Sequence, residues 1–167
     1  MLDPVVLDAL QQQITRERQN EAIYHAVAWR FEVANLDGFA SYSQRAAHEE
    51  AEHADKFAGY VIDRNAAPLV QPLGAVNPPI PLDMLTAPAL LIAVALQTEI
   101  GNTEAIKFLY QLAEEAHDPQ TCVFLIWALE EQTSAERELT TLLARCKFAE
   151  GCPAAVLQLD AELRGTP

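Results

Sequence analysis

The chain has 167 residues, half of them apolar, with 24 acidic and 11 basic side chains and a net charge of −13. That length fits one domain with a sizeable core. The charge excludes the basic face that nucleic acid requires, and no run of about 18 apolar residues offers a membrane span.

Three cysteines, Cys122, Cys146 and Cys152, form no CxxC pair, so neither a disulfide framework nor a zinc knuckle is expected. Met1-Leu2-Asp3-Pro4 lacks the basic and apolar regions of a signal peptide, and a cytoplasmic location is expected.

Asp3-Pro4 reads as an N-cap followed by proline at the first helical position, opening a helix over 4–34. Its inward stripe is Leu10, Ile14, Glu17, Glu21, Tyr24, Ala28 and Phe31, in steps of three and four. Glu21 places a second carboxylate one turn from Glu17, facing the core or tilting outward to an ion pair. Asn35-Leu36-Asp37-Gly38 breaks the helix, and a second follows over 38–65. Its stripe is Phe39, Ser43, Ala46, Glu50, His53, Phe57 and Tyr60.

Residues 66–82 contain Pro68, Pro72, Pro78, Pro79 and Pro81, with Gly74, and read as an extended crossing. Seventeen extended residues reach roughly 55 Å at 3.3 Å each. A helix of 28 residues spans about 42 Å, so the crossing is long enough to traverse the bundle. Asp83 caps a third helix over 84–116, with Ile92, Leu96, Glu99, Thr103, Ile106, Tyr110 and Ala113 on one stripe. Asp118-Pro119 opens a fourth over 119–148, whose stripe is Leu125, Ala128, Gln132, Ala135, Leu139 and Leu142. Gly151 ends it, and Pro153 opens a short fifth helix over 153–163. The chain reads as a single all-α domain: a four-helix bundle with one long crossover and a short fifth helix.

Each of the four long stripes is small or apolar except near its centre. Counted from the helix ends, the polar centres agree in depth within about five residues, roughly 7 Å. Glu50 and His53, three apart, share one helix face. A Glu-x-x-His pair inside an apolar stripe is costly unless something compensates the charge. A metal ion does so, and carboxylates with imidazole suit iron, manganese or zinc.

These residues resemble those of the ferritins. Glu17 with Tyr24, Glu-x-x-His at 50 and 53, Glu99 and the Glu131-Gln132 pair match the pattern of a ferroxidase centre. The Met-Leu-x-Pro opening and Trp127…Glu131-Gln132 are similar to non-haem bacterial ferritins. The ending, from Lys147-Phe148-Ala149 to Glu162-Leu163-Arg164, is similar to cyanobacterial-type ferritins.

The resemblance implies a cytoplasmic homo-oligomer of 24 chains that oxidises Fe(II) with oxygen or peroxide and stores ferric mineral. It implies one iron on Glu17, Glu50 and His53. The second sits on the bridging Glu50 and on Glu99, with Gln132 close by, either as a ligand or as a packed amide bonded to one, and Tyr24 beside the site. Glu49 and Glu131 would face the iron route, and Glu21 stands where relatives carry a small residue.

Several features depart from the family pattern. Ser134 and Ala135 stand where some bacterial ferritins place acids, and Val123 and Ile126 replace the acids that line an animal entry channel. In the bacterioferritins a methionine of the second helix ligates haem; the only methionines here are Met1 and Met84, so haem is not expected. Two alternatives stay open: a di-iron oxygenase or peroxidase without storage, and a structural shell subunit.

Overall fold

The computed structural model describes residues 2–74 and 87–165. Five helices follow in order: α1 (Pro4–Val33), α2 (Asp37–Asp63), α3 (Pro88–Glu115), α4 (Pro119–Ala149) and α5 (Pro153–Arg164). No strand occurs among the described residues. The all-α architecture is the one the stripes called for.

Each boundary has a local cause. Asp3 Oδ1 accepts from the Val5 amide at 2.8 Å and caps α1 ahead of Pro4. Asp118 caps α4 by accepting from the Thr121 amide at 3.2 Å. Asn35, Asn65 and His117 follow α1, α2 and α3 with φ of 57°, 57° and 53°, the left-handed conformation that closes a helix. Gly151 takes the same role after α4 at φ 78°.

The third helix starts later than the sequence suggested. It begins at Pro88, with Ala87 before it at φ −108° and ψ 88°. Inside a helix proline has no N–H to give and its ring meets the preceding turn. Pro88 therefore takes the first helical position. Asp83, expected as the cap, and residues 75–82 of the crossing lie outside the described residues.

The first part of the crossing runs along α1. Gln11 Nε2 donates to the Ala67 carbonyl at 3.0 Å. The Gln71 amide donates to Thr15 Oγ1 at 3.0 Å, and the Gly74 amide to Gln19 Oε1 at 2.9 Å. Residue numbers climb together on both segments, so the chain travels parallel to α1 here, as a long crossover requires.

Helix α1 packs on α2 and α3, α3 on α4, and α5 on α2 and α4. Two apolar clusters fill the ends of the bundle. One holds Phe31, Phe39, Leu91, Ile92, Leu139 and Leu159. The other holds Leu10, Ile14, Phe57, Ile106, Leu109 and Leu125. Along each long helix the residues between the two clusters are polar and buried: Glu17 and Asn20 on α1, Glu50 on α2, Glu99 and Asn102 on α3, Gln132 on α4. The bundle has a polar waist.

Helix α5 is fastened to the start of α2. Asp160, 2% exposed, accepts from the Gly38 amide at 2.7 Å and the Phe39 amide at 3.1 Å. These are first-turn donors that the helix itself leaves unpaired. A Cβ on residue 38 would stand 1.7 Å from the Asp160 carbonyl oxygen, so only glycine fits there. Arg164 pairs with Asp160 at 3.0 Å. Leu163 reaches the wall of the cavity at the waist.

Candidate metal centre

Glu17, Glu50 and His53 each present one ligand atom within 4.8 Å of the others. The two carboxylates are 1% and 4% exposed. Packing brings them together: Glu17 comes from the middle of α1, and Glu50 and His53 from one face of α2. The Glu17 and Glu50 carboxyls interact directly in this buried setting, which favours a proton on Glu50. The His53 ring lies against Trp127, with centroids 5.3 Å apart.

Glu99 lies across from this group. Its Oε1 accepts a short hydrogen bond from the Tyr24 hydroxyl, and its Oε2 accepts from Gln132 Nε2 at 2.9 Å. Gln132 therefore shows its amide nitrogen to Glu99. The sequence left ligand and packed amide both open for it. Tyr24, Glu50, His53, Glu99 and Gln132 line a cavity of about 300 Å³. Glu49 and Glu131 line its outer part with Tyr42, Arg45 and Glu138; both acids are exposed.

The electrostatics are those of crowded, desolvated acids. Burial raises the Glu50 carboxyl well above its ordinary value, reinforced by the Glu17 hydrogen bond and by repulsion from Glu17 and Glu99. Burial also raises Glu99, against the lowering effect of the Tyr24 and Gln132 hydrogen bonds. Tyr24 is raised by burial and then by Glu99, and so holds its proton. Burial raises Glu49, partly offset by His53. Crowded acids of this kind favour a proton or a multivalent cation in their midst.

Glu21 does not join the cluster. Its carboxylate pairs with Arg18 at 3.1 Å and is 28% exposed. The inward position one turn past Glu17 belongs to Asn20, 4% exposed, whose Nδ2 lies 3.3 Å from Glu50 Oε2. Of the two readings of Glu21, the outward ion pair is the one seen and the core-facing one is corrected: the stripe advances by three at this point, not four.

Three buried amides escaped the sequence reading. Gln13 Nε2 donates to Glu17 Oε1 at 2.6 Å. Asn20 reaches Glu50, and Asn102 reaches Glu17 and Gln132. A signal was present, because 13, 17, 20 and 24 form one helical stripe.

The sequence profile of the ferritin-like domain matches residues 7–149. The chain belongs to the ferritin family. It is 29% identical to a bacterial non-heme ferritin of Staphylococcus epidermidis, over 84% of this chain and 82% of that protein. It is 30% identical to ferritin BfrB of Mycolicibacterium smegmatis, over 80% of this chain and 71% of that one. Among solved structures, an open pore ferritin of the archaeon Archaeoglobus fulgidus superposes with a TM-score of 0.90 at 26% identity, covering both chains completely. No helix among the described residues is long and apolar enough to cross a membrane.

Proposed function

We propose that this ferritin oxidises ferrous iron at the waist of its bundle and stores the ferric product. The observation that carries the reading is the convergence of Glu17, Glu50 and His53, buried and within 4.8 Å of one another, in a chain of this family. One Fe(II) is held by those three. A second is held between Glu50 and Glu99, with Glu50 shared.

The residues do recognisable chemistry. Burial favours a proton on Glu50, and a cation binding beside it displaces that proton, so binding releases protons. Hard carboxylates and one imidazole favour Fe(III) over Fe(II). Two ferrous ions lose one electron each; oxygen with two protons becomes hydrogen peroxide, or peroxide with two protons becomes two waters. Tyr24 and Gln132 hold Glu99 by donating to its two oxygens. Glu49 and Glu131, at the outer wall, attract cations and pass them along. The working form is a cytoplasmic homo-oligomer of 24 chains without haem, enclosing the mineral.

The test is the native mass of the purified protein before and after aerobic addition of ferrous iron. A 24-subunit particle that becomes denser with iron, at a rate above that of iron alone in buffer, supports the reading. A monomer or dimer, or oxidation at the uncatalysed rate, overturns it.

A further inference from the structure

Asn102 lies three residues past Glu99 on α3 and is 1% exposed. Its side chain is the junction between two of the carboxylates at the waist. Nδ2 stands 3.2 Å and 3.4 Å from the two oxygens of Glu17, and 3.4 Å from Oε1 of Gln132. Oδ1 accepts from Gln13 Nε2 at 2.7 Å.

The direction of this chain is fixed by its contacts. An amide nitrogen only donates and an amide oxygen only accepts; Asn102 Nδ2 lies against the Glu17 oxygens and its Oδ1 against Gln13 Nε2. Glu17 therefore draws Nδ2 toward itself, which turns Oδ1 to Gln13. The second Nδ2 hydrogen points at Gln132, whose oxygen turns to meet it. The Gln132 nitrogen is then left facing Glu99, 2.9 Å from Oε2 and 3.1 Å from the backbone carbonyl. Amide orientation has to be assigned from such a network, and here the contacts of Gln13, Asn102 and Gln132 agree on one assignment.

We propose that Asn102 is the positioning residue of the iron site. It acts in two ways, both resting on the function proposed above. It steadies Glu17, so that the remaining lone pairs of that carboxylate face the cation. It also turns the Gln132 oxygen away from the metal, so that Gln132 orients Glu99 rather than ligating. The second iron accordingly has two protein carboxylates and no amide ligand.

Zinc binding tests this, because zinc suits carboxylate and imidazole and undergoes no oxidation. Calorimetric titration of the assembled, metal-free protein is done with the parent, Asn102→Val and Asn102→Thr. Valine removes both N–H donors without adding charge; threonine keeps one O–H donor. Loss of an outer partner of a ligand costs about 10–100-fold in metal affinity. Asn102→Val should weaken the tightest zinc site by that factor, and Asn102→Thr should lie between Val and the parent. The thermal midpoint of the metal-free protein is recorded beside it. A merely structural asparagine would lower that midpoint and leave zinc affinity alone. If Asn102→Val does not assemble, the threonine variant decides, through its affinity relative to the parent. Parental zinc affinity in the assembled variant overturns the inference. If the parent itself binds no zinc and oxidises no Fe(II), it is the function that fails instead.

Discussion

The ends of this bundle and its waist are built on opposite terms. At the ends, Phe31, Phe39 and Phe57 are fully buried among aliphatic and aromatic neighbours, and their burial favours the folded state. At the waist, Glu17, Glu50 and Glu99 are just as buried, yet they repel one another and lose their hydration. The ends hold the chain together; the waist is held together by them. A cost of that kind persists where function requires it, and the ends make it tolerable.

Substitutions at the two regions should therefore have opposite signatures. Glu50→Ala removes the carboxylate that faces both Glu17 and Glu99. Iron oxidation, followed by absorbance of the ferric product, should slow by more than about 100-fold, beyond what loss of an outer partner costs. Thermal stability of the metal-free protein should hold or rise, because a crowded acid has gone. A variant that keeps its oxidation rate would place the chemistry elsewhere. Phe31→Ala should do the reverse. Emptying a site that is 0% exposed costs about 3–5 kcal/mol per subunit, read as a lower urea midpoint, while zinc affinity of the assembled protein stays at the parental level.

The contrast also sets the pH response. Glu50 and Glu99 have folded values raised above the ordinary 4.5. Above pH 4.5 the unfolded chain has lost these protons while the native waist still holds them. Stability from this source is therefore full below pH 4.5 and lost as pH rises through the raised values. The metal-free thermal midpoint should fall across that window, and fall less in Glu50→Gln. Saturating zinc should invert the slope, because the ion and the protons compete for the same oxygens. Equal slopes in the parent and Glu50→Gln would remove Glu50 as the source.

Much of this was legible in the sequence because the waist interrupts a pattern. Glu17, Glu50, Glu99 and Gln132 each fall inside an otherwise apolar stripe, and a charge there stands out. Gln13, Asn20 and Asn102 did not stand out, since an uncharged amide on a helix usually belongs to its wet face and carries no charge to flag a buried one. The docking of α5 was hidden for another reason. Asp160 caps a helix more than a hundred residues earlier in the chain, and no local pattern announces such a partner. The late start of α3 has its cause in Pro88, a signal that the cap-like Asp83 five residues earlier obscured.

Glu17 and Glu21 give the smallest and sharpest version of the comparison. Both are carboxylates on α1, one turn apart. Glu17 is 1% exposed and accepts from two amide nitrogens, Gln13 Nε2 and Asn102 Nδ2. Glu21 is 28% exposed and pairs with Arg18, which also reaches Asp55. A helix turns through about 3.6 residues, so a step of three and a step of four diverge to opposite sides of the inward line. At this level the inward line passes through Asn20, which leaves Glu21 on the flank facing the Val70 and Leu73 stretch of the crossing. Exposed ion pairs contribute about 0.2–1 kcal/mol. Glu21→Ala should therefore lower stability by no more than that and leave Fe(II) oxidation within about twofold of the parent, whereas Glu17→Ala should weaken zinc binding at least as much as Asn102→Val does. Stopped-flow oxidation of Glu21→Ala decides the matter. A large loss of rate would mean that Glu21 swings inward when iron arrives and that the waist has one more carboxylate than this structure gives it.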